Sequence, residues 1–271
     1  MKIYVLGSTG FIGQNLVKRY CNEEVFEHKR YFDLLAKLDY FKPDVIINCA
    51  AEIYDGTKMF KVNIEMVKEC LWWCNQNNNK TQFIQLGSSS EYGTVNRASH
   101  ECDPIVATNM YSATKGAATL LCQGYAQQYN VDVQVIRPYS PYGPGERPHR
   151  LFPALWRAFK LDRPMTLSMG VHDFCYIDDF VDAVDLVIGN DKRIPGEIIN
   201  VSSGVQTTNA EVLETFRNIT SIQGNVEIKA DFTTPAIWQA DIGYIQKKYG
   251  WKPKFSLEAG IRKFLEEAIY E

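Results

Sequence analysis

Tyr111 and Lys115 stand four residues apart in Tyr111-Ser112-Ala113-Thr114-Lys115. In a helix, that spacing sets the phenol and the ammonium one turn apart on the same face. A free tyrosine, with a pKa of about 10, is a poor acid or base at neutral pH. An ammonium held close favours the phenolate and draws that pKa toward the working range. Such a tyrosine can exchange a proton with a sugar or alcohol hydroxyl while hydride passes to or from a nicotinamide. Upstream, Gly87-Ser88-Ser89-Ser90-Glu91-Tyr92-Gly93 is rich in hydroxyls. A bare Tyr-x-x-x-Lys carries little weight alone, so its meaning rests on the elements that place it.

Those elements alternate between strand and helix over the first 150 residues. Lys2 to Leu6 is a short apolar strand that runs into Gly7-Ser8-Thr9-Gly10-Phe11-Ile12-Gly13 and then a helical pattern through Tyr20. Glycines at that spacing, between strand and helix, let the backbone come close to a pyrophosphate. The following helix offers it free N–H groups and a positive dipole end. Gly7, Thr9, Gly10, Phe11, Ile12 and Gly13 are the candidate cofactor contacts. Glu24 to His28 reads as a second strand whose far end would face the adenosine ribose. Lys29 and Arg30 follow it. A basic pair there suits a 2′-phosphate, which favours NADP over NAD, and it equally suits a solvated turn. Asp33 falls where a carboxylate could meet the adenine. Leu34 to Phe41 is a short helix ended by Pro43. Asp44 to Ala51 is a buried strand closing on small residues, and Ala50 and Ala51 would let the cofactor lie against the backbone. A helix from about Thr57 to Asn77, a strand from Thr81 to Leu86, the Tyr111–Lys115 helix and a strand from Val131 to Ile136 continue the rhythm. The pattern predicts a parallel sheet with helices on both faces. The serine turn then falls at the carboxyl end of a central strand, where such sheets place their chemistry.

Arg137-Pro138-Tyr139-Ser140-Pro141-Tyr142-Gly143-Pro144-Gly145-Glu146-Arg147-Pro148 is too rich in Pro and Gly for regular structure, and a long loop of this kind is usually functional. Beyond residue 150 the rhythm changes. A helix near Leu151 to Phe159 precedes short strands near Met165 to Leu167 and Phe174 to Tyr176. Asp178-Asp179 reads as the cap of a helix reaching about Ile188. Ile198 to Val201 returns to the main sheet, Asn209 to Asn218 is a helix, and Trp251-Lys252-Pro253 separates two closing helices. The C-terminal third reads as a small lobe packed on the first domain.

Composition narrows the classes. The chain has 271 residues, 45% of them hydrophobic, and a net charge of -3, which gives no case for nucleic acid or a membrane surface. No run approaches the ~18 apolar residues of a membrane span, and the N-terminus meets Gly7 too soon for a signal peptide. Seven cysteines include no Cys-x-x-Cys pair, so no metal site is expected, and Cys70 and Cys74 read as small buried hydrophobes. An odd cysteine count without an export signal points to a reducing cytoplasm.

With the glycine motif, the serine turn, Tyr111/Lys115 and Tyr142-Gly143-Pro144-Gly145 in order, the chain resembles the extended short-chain dehydrogenase/reductases that act on nucleotide sugars, the epimerase/dehydratase family. The likeness covers nearly the whole chain and continues in Asp173-Phe174, Asp178-Asp179, Ala240-Asp241 and Gly250-Trp251. It implies an α/β, Rossmann-type doubly wound sheet in residues 1–150, with segments near 174–201 returning to it, and a small α/β substrate lobe in 151–271. It implies Tyr111 as the catalytic acid/base and Lys115 as the lysine that lowers its pKa and holds the nicotinamide ribose. Ser88, four residues before Tyr92, matches the Ser or Thr that hydrogen-bonds the reacting oxygen, with Ser89 and Ser90 as rivals. Tyr139 joins the cofactor contacts, and Ser89, Ser90, Ser140, Arg147 and His172 become candidate substrate contacts. A homodimer formed through the helices near 57–77 and 108–129 is also implied.

The chain departs from the family in four places. Sugar 4,6-dehydratases carry an acidic pair where Ser89 and Ser90 stand, while Glu91 comes one residue later and would point elsewhere. Ser140 occupies a usual Asn position. His172 replaces an Arg that grips the nucleotide diphosphate, so that grip would rest on Arg147 or Arg150. No arginine lies between Phe232 and Asp241. The expectation is an NAD- or NADP-dependent reductase or dehydrogenase acting at C4 of a nucleotide sugar, with a lean to NADP. The alternatives are a 4-epimerase retaining NAD and a non-catalytic dinucleotide sensor.

Overall fold

The computed structural model describes residues 1–28, 33–78, 80–229 and 237–268. Its first half alternates β1 (Lys2–Leu6), α1 (Phe11–Arg19), β2 (Glu24–His28), α2 (Leu34–Phe41), β3 (Val45–Asn48), α3 (Gly56–Phe60), α4 (Met66–Gln76), β4 (Gln82–Leu86), α5 (Met110–Tyr129) and β5 (Val133–Pro138). A π-helical turn, Lys61–Glu65, joins α3 to α4. The second half holds β6 (Ser140–Tyr142), α6 (Leu151–Leu161), β7 (Met165–Ser168), β8 (Val171–Tyr176), α7 (Ile177–Val187), β9 (Ile198–Val201), β10 (Gln206–Thr208), α8 (Asn209–Thr220), β11 (Val226–Lys229), α9 (Gly243–Tyr249) and α10 (Leu257–Ala268).

Six strands form one parallel sheet in the order β2-β1-β3-β4-β5-β9. Alternate residues of each strand feed opposite cores. Ile3 and Val5 of β1, Val45 and Ile47 of β3 and Ile84 of β4 pack toward α1, α7 and the C-terminal elements. Tyr4 and Leu6, Ile46, Phe83, Val133 and Val135 pack toward α2, α4 and α5. Both faces are covered, which is why these strands read as near-continuous apolar runs. The order reverses at β1/β3, so a crevice opens at the carboxyl ends of those strands.

Two structural expectations need correction. Ser140 to Tyr142 is a strand, pairing in parallel with β8 in a sheet of order β10-β8-β6. The surrounding prolines and glycines hid it because its partner lies some thirty residues away. Asp178 and Asp179 do not cap α7, whose N-cap is Tyr176. Asp179 instead accepts the backbone N–H groups of Lys254 and Phe255, and Asp178 pairs with Lys263. The pair secures the two closing helices. The buried Cys70 and Cys74 follow the bland reading, and among the described residues no helix is long and apolar enough to cross a membrane.

Candidate active site

The glycine turn is shaped by contacts that only glycine permits. Gly7 sits at φ +71°, and a Cβ there would lie 2.7 Å from the Ala50 nitrogen. A Cβ on Gly13 would lie 2.2 Å from the Gly7 carbonyl oxygen, to which the Gly10 N–H donates at 2.9 Å. The turn therefore closes on itself and lies against the end of β3. Helix α1 opens at Gly10 with no side-chain cap and no acid in its first turn. Its first N–H groups and positive end are left for an anion at the sheet's crevice. Phe11 and Ile12 anchor the turn to the core, Thr9 is exposed, and the Asn48 side chain accepts the Ala50 N–H at 3.1 Å. Ala51 and Asp33 are exposed, Asp33 at the head of α2 with φ +60°. Lys29 and Arg30 lie outside the described residues. A dinucleotide's pyrophosphate fits this cradle.

The catalytic candidates meet one strand further along. After β4, Ser88 opens a single 3-10 turn, Ser89–Tyr92, its hydroxyl accepting the Ser90 N–H at 3.2 Å and lying 2.8 Å from the Ser90 hydroxyl. Helix α5 is started by Asn109, whose side chain accepts the Ser112 N–H at 2.8 Å while the Ser112 hydroxyl accepts the Asn109 N–H at 3.0 Å. That cap fixes where Tyr111 and Lys115 emerge. Burial raises the Tyr111 pKa above the usual tyrosine range, while a hydrogen bond with Ser88 and the charge of Arg150 pull it back. Ser88 is thus the serine brought to Tyr111. Lys115 is fully buried and donates to the Leu86 carbonyl. Burial lowers its pKa, and the charge of Glu91 works against that. The cation that lowers the Tyr111 pKa in this structure is Arg150 and not Lys115, whose ammonium is turned to the Leu86 carbonyl. Asn63, on the π-helical turn, donates to Thr114 at 3.0 Å and to the Glu52 carbonyl at 2.9 Å, holding α5 against that loop.

Beyond Tyr111 lies a cleft of about 160 Å³ between the loop after β6, the start of α6, β8 and α8. Ser140 and His172 meet in it, hydroxyl to Nδ1 at 3.4 Å. Burial, with Arg150 adding to it, pushes the His172 pKa down to about 4, so the imidazole is neutral at physiological pH. The cation lining the cleft is Arg150. Arg147 is exposed and does not line it. Glu146, missed in the sequence, shares this wall. Arg150 Nε donates to its Oε1 at 3.2 Å, while its Oε2 is buried without a partner. Burial pushes its pKa up to about 7. Asn209, also missed, keeps a buried Oδ1 without a partner. Two bare acceptors in one small cleft suit a ligand rich in N–H or O–H donors. Of the two arginines named for the diphosphate grip, Arg150 is the one in the cleft, and only its spacing four residues after Glu146 could have hinted at that carboxylate. Asn209 gave no signal. A larger hollow of about 330 Å³, walled by Pro153, Trp156 and Phe264, shares Glu146 with the cleft; Ser88, Tyr111 and Lys115 line neither, and the cleft is tied to Tyr111 through the charge of Arg150. Tyr139 packs between Tyr92 and Trp238, ring centroids 6.4 Å from each. Ser89 is buried in the 3-10 turn.

Crevice, glycine cradle and Ser/Tyr/Lys group together define a nucleotide-dependent oxidoreductase of the extended short-chain type. Residues 3–202 match the NAD dependent epimerase/dehydratase family, and the chain belongs to it. Low-salt glycan biosynthesis protein Agl12 of Haloferax volcanii is 25% identical over 308 aligned positions, 96% of each chain. The structure of dTDP-glucose 4,6-dehydratase from Bacillus anthracis in complex with NAD superposes with a TM-score of 0.90 at 21% identity, covering 100% of this chain and 97% of that one. UDP-glucuronic acid 4-epimerase from Bacillus cereus, in complex with UDP-glucuronic acid and NAD, gives 0.89 at 22% identity, covering 100% and 99%. At these identities the structural likenesses show the shared fold.

Proposed function

We propose that this chain is an NAD(P)-dependent oxidoreductase acting at C4 of a nucleotide-activated sugar, and that it reduces a 4-ketosugar. The observation that carries the reading is that Ser88 faces Tyr111 closely enough to lower its pKa, beside the glycine cradle, with serines at 89 and 90 where the dehydratases carry their acidic pair. Gly7, Gly10, Gly13 and Lys115 would hold the dinucleotide, whose nicotinamide supplies the hydride when bound. Tyr111 gives its proton to the C4 oxygen, and Ser88 shares the hydrogen bond that steadies charge there. Arg150 is the group for the diphosphate, since His172 is neutral. Glu146 and Asn209 accept from the base or the sugar hydroxyls.

A 4-epimerase uses the same residues and is the second reading, since oxidation and re-reduction at C4 also need no acidic pair at positions 89 and 90. Denaturing the purified protein and identifying the released nucleotide separates the two. Near-stoichiometric NAD supports epimerisation and overturns the reductase. A protein that releases none, is stabilised by NADPH more than NADH, and oxidises NADPH with UDP-4-keto-6-deoxy-glucose supports it, and makes Lys29 and Arg30 the next residues to change. Self-association through α4 and α5, which expose Trp72 and Leu120, belongs to the same proposal, and sedimentation velocity reads it directly.

A further inference from the structure

Glu91 is completely buried, yet it is no leftover of the serine turn. Its Oε1 accepts the Ser88 N–H at 2.7 Å. Its Oε2 accepts the Thr119 hydroxyl at 2.7 Å and Arg137 Nε at 2.9 Å, with a second guanidinium nitrogen at 2.7 Å. The backbone carbonyl of Glu91 also accepts the Val106 N–H at 2.8 Å. One carboxylate therefore ties the turn carrying Ser88 to the helix carrying Tyr111 and Lys115, and both to β5. Arg137 is itself fully buried, with the Tyr92 ring 4.3 Å away, and Tyr92 donates to Asn200 of β9 at 2.7 Å. The knot crosses three adjoining strands of the sheet at the edge where the chemistry sits. Gly87 has no room for a Cβ because Glu91 Oε1 would be 2.7 Å from it.

We propose that Glu91 is a positioning residue for the redox site, holding Ser88 in register with the Tyr111–Lys115 helix. The inference rests on the reading of Ser88, Tyr111 and Lys115 as the catalytic group. A simpler polar residue could cap a 3-10 turn. A carboxylate joined at once to the turn, to α5 and to a buried guanidinium fixes the distance between two elements whose side chains must reach the same oxygen. The charge has a second consequence. Tyr111 faces Glu91 and Arg150, and Lys115 faces Glu91, Cys49 and Cys122. Glu91 is the charge common to both, and it raises both pKa values.

The test compares Glu91→Gln, Thr119→Val and the double variant Glu91→Gln/Arg137→Met. The double variant removes the lone buried guanidinium that the single change leaves behind, which keeps the protein foldable. Hydride transfer from NAD(P)H to UDP-4-keto-6-deoxy-glucose gives kcat and KM. A 3-fluorotyrosine in place of Tyr111 reports its own titration by ¹⁹F NMR, without turnover. The expected result is a kcat loss of roughly tenfold or more for Glu91→Gln, toward the ~100-fold that an ångström of misplacement costs. KM stays within about threefold, and the fluorotyrosine midpoint moves to lower pH. The double variant stays slow, since its amide oxygen can still take the Ser88 N–H but the tie to β5 is gone, and Thr119→Val loses less with its titration unmoved. Wild-type kcat in the double variant, or a Glu91→Gln change confined to KM, overturns the proposal. If Tyr111→Phe is itself fully active, the catalytic reading fails instead, and the fluorotyrosine titration still reports whether Glu91 acts on position 111.

Discussion

Two buried glutamates stand at the two ends of this site, and their surroundings differ. Glu91 takes hydrogen bonds from Ser88, Thr119 and Arg137, drawn from three separate elements. Glu146 has one donor, Arg150, whose side chain is itself exposed, and one buried oxygen with none. Burial alone disfavours a carboxylate, and hydrogen bonds to the charged form restore it. The difference teaches where the site is finished and where it waits. The redox end is completed by the chain's own donors, as an invariant proton transfer requires. The cleft end keeps acceptors open, as a pocket that must recognise a particular ligand requires.

The comparison is tested hardest at the finished end. If Tyr111 is the proton donor proposed above, Tyr111→Phe removes that proton and leaves the shape, so kcat should fall on the order of 10²–10⁴-fold, the worth of a positioned acid or base. Ketosugar KM should hold, because the hydroxyl acts in the transition state. Steady-state turnover of UDP-4-keto-6-deoxy-glucose measures both, and retained kcat would remove Tyr111 from the chemistry.

The unfinished end makes the next largest prediction, and it concerns stability. Burial raises the Glu146 pKa from 4.5 to about 7 in the folded protein. The folded state therefore binds the proton more tightly than the unfolded one between those values. Stability is fully present below pH ~4.5, is lost as pH rises toward 7, and stays low above it. A shift of that size corresponds to about 3 kcal/mol. Glu146→Gln carries no charge at any pH, so its thermal unfolding should lose that slope and the variant should be the more stable at pH 8. Calorimetric scans from pH 5 to 8 decide this: parallel curves for both proteins would mean that Glu146 finds a partner in solution and that the two glutamates are alike after all.

The finished end was also the more legible in the sequence. Gly7, Gly10 and Gly13, and the strands and helices around them, announce themselves through local spacing and apolar runs, because each is set by neighbours in the chain. Ser88, Tyr111 and Lys115 follow for the same reason, each lying at an offset from a local marker. The cleft is built from pairings between distant segments. The three-residue strand Ser140–Tyr142 exists only because β8 lies beside it. His172 stands where an arginine is usual, and its neutrality comes from burial that no local pattern records. The Glu91 carboxylate turns to Thr119 and Arg137, residues 28 and 46 positions on, so its ties leave no mark in local spacing.

Arg150 gives the smallest of these effects and bears most directly on where the ends meet. It binds Glu146 through Nε, and its charge also reaches Tyr111. If it grips the diphosphate, Arg150→Met should raise the nucleotide-sugar KM about tenfold, the worth of one charge-assisted hydrogen bond of ~1.5 kcal/mol. Loss of its charge should also raise the Tyr111 pKa slightly, moving the alkaline side of the kcat profile upward. Arg147→Met, changing an exposed neighbour that does not line the cleft, should do neither. Equal effects from the two variants would mean that the loop after β6 rearranges around substrate. In that case the two bare acceptors of the cleft would say little about which ligand it takes.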